Sequence, residues 1–587
     1  MRAWFFPLRF SLILAAATLS AVEANPAAGQ SSDNFVPVTD AMLQNPSPDD
    51  WPMWRRTLDG WGYSPLEQVT SQNVAELQLV WSRALSAGTS QQGTPLVYGG
   101  VLYMPNPRDV IQAIDAVTGD LRWEHRRDVP DDIAEYVGGL EDTNRNLAIY
   151  GNLIIDTSAD DYVFALDATT GRVVWETQIL DYKTVPARQS SGPIIANGKV
   201  ISGRSCRPRG GPYSCIITAH DATTGEELWR TSTIPRPGEP GDESWGGVPF
   251  EQRWHVGAWM VPSYDPTLNL IYMGTSVTAP APKFRLGGVS NKHLYHNSTL
   301  ALNGDNGEIT WYYQHLNDHW DLDHPYERIL VDTAVAPDPS TVSWINPRLR
   351  PGERRKVVTG IPGKTGIVFT LDRETGEFLW ATPTITQNVV SGIDGASGEV
   401  STNSEVVFTG VGQEVMVCPS YFGGKNWDPG AYSPMTNLMY FPLRNTCARM
   451  LATDDDSLYG LAVRTQLTPG EEELGMVQAI SVETGETVWV HQQRAATMSV
   501  IATGGGLVFG GDTNGRFRAL DHKTGEILWE INLGSAVTGP PITYAVDDRQ
   551  YIAVSTGSAS AASAFTRLTP ELRPSAGNNL FVFALPN

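Results

Sequence analysis

The chain has 587 residues, too many for one conventional core unless the fold is modular. Glycine (56), proline (40) and tryptophan (18) are plentiful and charged residues make up only 18%, which is the composition of a turn-rich all-β protein. A formal net charge of -22 argues against nucleic acid or an anionic membrane as partner and favours a basic partner or a neutral substrate.

The N-terminus reads as a secretory signal over residues 1–24. Arg2 and Arg9 mark the n-region, Phe10 to Val22 is apolar, and Val22-Glu23-Ala24 offers cleavage after Ala24. The apolar run is short for a membrane span, so a soluble, exported protein is expected. Residues 25–75 then read as an N-terminal extension, and 76–587 as a single folded domain. In an oxidising compartment the four cysteines pair most economically as Cys206–Cys215 and Cys418–Cys447. No Cys-x-x-Cys-His occurs, so no covalently attached c-type haem is expected.

From residue 113 onward a repeat dominates. Ala113-Ile-Asp-Ala-Val-Thr-Gly119-Asp-Leu-Arg-Trp123 recurs at Ala165–Trp175, Ala219–Trp229, Ala301–Trp311, Thr370–Trp380, Ala479–Trp489 and Ala519–Trp529. A strand ends near the Asp, Asp-x-x-Thr-Gly turns with glycine at positive φ, and a second strand carries a tryptophan that stacks on a neighbouring repeat. Two further short strands precede most copies, giving four antiparallel strands per repeat, one propeller blade. Glu76–Trp81 supplies a fourth strand without its predecessors, and Asn579–Leu585 a third strand without its tryptophan. Joining them predicts an eight-bladed β-propeller whose last blade is built from both ends of the chain. The long stretches from Trp229 to Trp311, Trp311 to Trp380 and Trp380 to Trp489 hold insertions, which on a rigid scaffold form the walls of a site.

Inside that elaborated half lies His315-Leu-Asn-Asp318-His319-Trp320-Asp321-Leu-Asp323-His324. Three carboxylates and three histidines around one tryptophan are costly to bury without partners or a metal. The plain alternative is a solvated acidic loop. In an extended segment Asp321 and Asp323 would project to the same side.

The chain resembles the pyrroloquinoline-quinone (PQQ) dependent alcohol dehydrogenases over nearly its whole mature length. The resemblance rests on the eight-fold tryptophan motif, Trp320-Asp321-Leu322-Asp323, Gly363-Lys364-Thr365-Gly366-Ile367-Val368, Gly423-Gly424-Lys425-Asn426-Trp427 and Asn144-Arg145. Within the family it looks like the haem-free branch that oxidises bulky secondary alcohols such as the mycotoxin deoxynivalenol. PQQ is a flat tricarboxylate quinone, which needs an aromatic floor, donors for its carboxylates and a cation at its reactive carbonyl. By resemblance Trp259 is the floor, Arg145 and Thr157 are donors to PQQ, and Gln92 stands where relatives often have a Glu against a PQQ carboxylate. Lys364 is the cation at the quinone oxygens, and Asn426 with Trp427 is the pocket pair. The plain alternative for Trp259 is another core tryptophan, and for Arg145 a surface arginine.

The same resemblance makes Asp321 the catalytic base and a ligand of a metal ion, usually Ca²⁺, that polarises the carbonyl. Asp323 and Thr278 are further candidate ligands. Asp323 accompanies lanthanide use in some relatives but does not decide the metal. The chain departs from the family at the Glu and Asn that relatives add to the calcium site. Those regions here read Gly203-Arg-Ser-Cys-Arg-Pro-Arg and Gly274-Thr-Ser-Val-Thr-Ala-Pro. The family's adjacent-cysteine disulfide is replaced by Gly139-Leu140, and the Cys206–Cys215 loop is the candidate cover. A periplasmic location and an external acceptor, a soluble c-type cytochrome, are implied as well. Two other readings compete: a scaffold propeller of the outer-membrane assembly type, and a zinc hydrolase using His315, His319 and His324.

Overall fold

The computed structural model describes residues 35–586, apart from 89, 140–141 and 456–458. The signal-peptide reading therefore falls outside the described residues. Within them the protein is an all-β propeller with few, short helices. Most repeats build one four-stranded antiparallel sheet in sequence order. The first runs Leu96–Tyr98, Val101–Asn106, Val110–Asp115 and Leu121–Arg126. Its three earlier strands are almost wholly buried, while the tryptophan strand alternates between exposed and half-buried positions. The tryptophan strands therefore face outward, and the earlier strands crowd the interior.

The repeat sequence explains the sheet-to-sheet contact. In every copy the tryptophan pairs with the small residue that opens the motif: Ala113 with Trp123, Ala219 with Trp229, Thr370 with Trp380. The turn glycines lie at positive φ, such as 76° at Gly225, where L side chains are strained. They have a second reason to be glycine. A β-carbon on Gly225 would meet the Trp175 ring at 2.4 Å, one on Gly171 the Trp123 ring at 2.5 Å, and one on Gly307 the Trp229 ring at 2.4 Å. Each indole thus lies flat on the turn of the next sheet. Several also donate to its backbone, as Trp123 Nε1 does to the Ala168 carbonyl at 3.0 Å.

The two ends of the chain share a sheet. Gln78–Ala84 pairs with Asn579–Ala584, which pairs with Arg549–Thr556 and through it with Ile542–Val546. Upstream, Tyr63–Ser64 adds a parallel strand beside Thr497–Thr503, and the buried Arg55 donates to the carbonyls of Gly430 and Val500. Residues 35–77 are thus laced into the sheets rather than hung from them.

The longest insertion forms a side arm of three strands, Glu414–Val417, Thr446–Ala452 and Leu461–Leu467. Cys418–Cys447 closes its base, and Cys206–Cys215 closes the other predicted loop. The arm's apolar face packs on Leu316, Trp320 and Leu322, so the charged stretch is gripped through its apolar residues.

Candidate active site

The 315–324 stretch is organised by Asp318. Its carboxylate accepts the amides of Trp320 and Leu322 and the side-chain amide of Asn297. Burial pushes its carboxyl up to about 6. Trp320 is fully buried and donates to the Val406 carbonyl at 2.8 Å. Between these anchors Asp321 adopts φ 66°, a left-handed conformation uncommon for a residue with a side chain. The segment is therefore turned, not extended as the sequence reading assumed, because Asp318 draws the amides on both sides of Asp321 to itself.

Both carboxylates nevertheless reach one cation. Lys364 Nζ lies 3.5 Å from Asp321 Oδ2 and 3.2 Å from Asp323 Oδ2, and donates to the Asp321 carbonyl at 2.9 Å. Asp323 Oδ1 accepts the Val277 amide at 3.0 Å. Burial drives the Asp321 carboxyl well above the usual range against the pull of Lys364. Burial would raise Asp323 too, but Lys364, His255 and the Val277 amide outweigh it and hold Asp323 low. Burial opposes the charge on Lys364, yet the two carboxylates keep it firmly protonated. The three groups titrate as one unit.

The residues proposed to hold PQQ gather next to this unit. Gly424 N donates to the Lys364 carbonyl at 2.9 Å, so the segment carrying Asn426 and Trp427 starts on Lys364. Arg145 is buried, with its guanidinium 5.4 Å from the Trp259 ring and 5.3 Å from the Trp427 ring, and it donates to the Ser190 carbonyl at 2.8 Å. Burial, with Arg188 nearby, lowers its pKa to about 9. Arg145 is no surface residue. Trp259 is half-buried and set edge-on to Tyr326 at 5.5 Å. Asn426 Oδ1 accepts the Trp427 amide and the Tyr326 hydroxyl, and its Nδ2 donates to the Phe422 carbonyl, so this side chain is largely used in shaping the segment. The Gln91–Thr94 segment runs alongside Asn144–Arg145, joined by the Thr94 amide to the Arg145 carbonyl at 2.9 Å, while Asn144 donates to Asp156 beside Thr157.

Several polar atoms at the site are buried without partners. Gln92 Oε1, Thr157 Oγ1 and Arg145 Nε are buried without hydrogen-bond partners, as are Asp321 Oδ1 and Thr278 Oγ1. Of the first set, Arg145 lies by two indole rings, which suits a flat polyanion. The second offers hard oxygens, which suits Ca²⁺ or a similar ion. The metal set from the chain is lean, for no group of three or more His, Cys, Asp or Glu able to hold a metal occurs among the described residues.

The three histidines do not converge on a metal. His315 Nε2 pairs with Thr299 Oγ1 at 2.7 Å, His324 stacks on His315 and reaches Thr365 Oγ1, and His319 packs against Trp320. The zinc reading is set aside. In the Gly203-Arg204-Ser205 segment, Arg204 is buried and paired with Asp161 at 3.2 Å. Cys206, two residues on, packs its backbone on Gly257 next to the Trp259 segment.

Two neighbours of the carboxylates were missed from sequence: His255, whose Nδ1 bonds the Val277 carbonyl at 3.0 Å, and Tyr459, whose ring lies 5.7 Å from that of His255. Neither belongs to the repeat nor to a recognised motif.

A family model described as the beta-propeller domain of glucose, ethanol and alcohol dehydrogenases, named PQQ, matches residues 51–401 and 457–552. The quinohemoprotein alcohol dehydrogenase ADH-IIG of Pseudomonas putida is 30% identical, over 94% of this chain and 78% of its own length. The quinoprotein alcohol dehydrogenase PedH, also of Pseudomonas putida, is 31% identical over 85% and 84%. Among solved structures, ADHIIG superposes with a TM-score of 0.82 at 28% identity, covering 94% of this chain and 83% of that one. A europium-containing methanol dehydrogenase superposes at 0.81 and 26%, covering 93% and 99%. A match of this extent, around a buried Asp–Lys–Asp unit flanked by indoles and partnerless polar atoms, places the chain in the family of PQQ-dependent alcohol dehydrogenases.

Proposed function

We propose that this enzyme oxidises a bulky secondary alcohol, of the kind deoxynivalenol presents, to the corresponding carbonyl compound, with Asp321 as general base. The observation that carries the reading is Asp321 Oδ1, buried and partnerless beside an ammonium that holds the other oxygen. Oδ1 accepts the hydroxyl proton of the substrate, while Lys364 keeps the carboxylate oriented through Oδ2. Trp259, Trp427, Arg145, Gln92, Thr157 and Asn426 hold PQQ, which supplies the hydride acceptor when bound. Asp321, Asp323 and Thr278 hold a metal ion, Ca²⁺ or a lanthanide, which supplies Lewis acidity. Lys364 also stands ready to stabilise negative charge that grows during reduction. The bulky-alcohol reading is supported by the replacement of the family's Glu region by a buried Arg204–Asp161 pair, a remodelled wall.

The wider reading has eight blades over residues 76–587, an extension at 25–75, and a signal at 1–24 that directs the protein to the periplasm. Among the described residues no helix is long and apolar enough to cross a membrane. Electrons leave to an external acceptor, a c-type cytochrome, since the sequence carries no haem-attachment motif. A strongly acidic surface favours a basic acceptor and a rate that falls with salt. The test is reconstitution of purified protein with PQQ and Ca²⁺, followed by dye reduction with bulky and short alcohols. Turnover that chelation abolishes and calcium restores is expected. PQQ binding without any alcohol turnover overturns the reading.

A further inference from the structure

We propose that Tyr459, presented by the tip of the side arm and set edge-on to His255, is a specificity-determining residue that contacts the body of the alcohol. This rests on the reading of Asp321 as the base, because it is the placement of Tyr459 near that carboxylate that gives it a substrate to touch.

The arm is anchored at both ends. At its base lie the Cys418–Cys447 disulfide and the apolar contact with Trp320. At its tip the Tyr459 carbonyl accepts the Ala281 amide at 3.0 Å, and Arg285 donates to the carbonyls of Thr453 and Asp455 at 3.4 and 2.8 Å. The clasp is close, for a β-carbon on Gly460 would meet Arg285 Nη1 at 3.1 Å and Pro280 at 3.2 Å. The clasped segment begins just after Thr278, a candidate metal ligand. A residue on this tip is therefore held at the site by the fold and does not drift in solvent.

The ring of Tyr459 is also placed. Its centroid is 5.7 Å from that of His255 at an interplanar angle of 78°. His255 is fixed in turn, since its Nδ1 bonds the Val277 carbonyl and the Val277 amide bonds Asp323. It holds φ 76°, a strained conformation for histidine, and Trp254 packs edge-on against it at 5.5 Å. Tyr459, His255 and Trp254 thus make an aromatic wall that ends at the carboxylate unit. Tyr459 is less completely buried than His255. Burial and the charge of Asp321 keep the phenol protonated, leaving it an O–H donor at the edge of an apolar face. Such a wall matches an alcohol whose carbon body extends past the reacting carbon and carries a further oxygen. A short linear alcohol is too small to reach it.

The test uses the full chain loaded with PQQ and Ca²⁺, and Tyr459→Ala and Tyr459→Phe beside wild type. Steady-state kinetics are taken with ethanol and with a bicyclic secondary alcohol. Binding of the bicyclic ketone product is titrated calorimetrically, which needs no turnover. Tyr459→Ala should raise KM for the bicyclic alcohol about tenfold with kcat little changed, weaken ketone binding to match, and alter ethanol oxidation less than twofold. Tyr459→Phe should recover most of the loss by restoring the ring. PQQ affinity and Tm should not move. Equal losses on both alcohols with a lowered Tm, or unchanged bicyclic KM and ketone affinity, overturn the proposal. If wild type binds the ketone through Tyr459 but oxidises neither alcohol, the base assignment fails and the contact stands.

Discussion

The turns that receive the tryptophans and the loop that carries Asp321 use the same left-handed backbone to different ends. Gly225 sits at φ 76° under the Trp175 ring, with no side chain to strain. Asp321 sits at φ 66° and His255 at φ 76°, each with a side chain and each beside buried charge. Left-handed residues with side chains cost roughly 1–3 kcal/mol and persist where their surroundings over-determine them. Here Asp318 and the Val277 peptide do that work. In the turns the backbone amides are met locally, as when Asp221 Oδ1 accepts the amides of Thr223 and Thr224. Around Asp321 polar atoms are buried without partners. The turns use the left-handed backbone to seat a ring, and the Asp321 loop uses it to aim a carboxylate.

Breaking the site without touching the scaffold should have the largest effect on turnover. Asp321→Asn keeps the volume, and asparagine tolerates the left-handed conformation. The variant should fold with an unchanged Tm and lose at least ~10²-fold in kcat at saturating PQQ and metal. Wild-type turnover in this variant would make the unit structural. Asp323→Ala should act instead on metal affinity, and excess metal should partly rescue it.

Lys364→Ala should damage both sides of the comparison. It removes charge stabilisation, at roughly 10²-fold in kcat. It also leaves two buried carboxylates without their cation, and removing one partner of a buried pair costs on the order of 3–5 kcal/mol. The metal-free variant should therefore melt well below wild type, and calcium should restore much of the difference. A Tm that is the same with and without calcium would contradict the shared-cation account.

Gly225→Ala tests the scaffold alone. The added methyl meets the Trp175 ring in a strained conformation, so a loss of about 2–4 kcal/mol is expected. Chemical denaturation measures it, and kcat per folded molecule should be unchanged. A drop in kcat without a drop in stability would mean that the turns communicate with the site.

The effect furthest from turnover is on pH dependence. Burial pushes Asp109 up to about 7, opposed by the Ala159 amide at 2.8 Å. A carboxyl raised on folding favours the folded state when protonated. Its contribution is full below an unfolded value of about 4 and is lost as pH rises towards 7. Asp109→Asn removes that dependence, so wild type should lose stability relative to the variant between those limits. Parallel Tm-versus-pH curves would rule this out.

The repeat was legible because its code is local: turn and tryptophan lie within eleven residues of Ala113. What the indole touches was not, since the partner of Trp175 is Gly225, in the next repeat. Asp321 and Asp323 were legible as a motif, but the chain direction between them was not. Asp318 read as one more charge and proved to be the turn-maker. The three histidines shared a spacing but not a destination, because Thr299 and Thr365 claimed two of them. Tyr459 and His255 meet across about 200 residues of chain, and nothing in either neighbourhood of sequence announces the other.

The sheet shared by the two ends has a consequence for biogenesis. Asn578 donates to the Ser86 carbonyl across 492 residues, and the strands beside them pair over a similar span. Until Asn579–Ala584 has been synthesised, Gln78–Ala84 has no partner strand and the edge of Arg549–Thr556 is uncovered. Uncovered edges invite pairing with other chains. A nascent copy therefore passes through a long, adhesive interval in which nearly the whole molecule exists and none of it is closed, and its yield in a cell should depend on how well holdase chaperones shelter that interval.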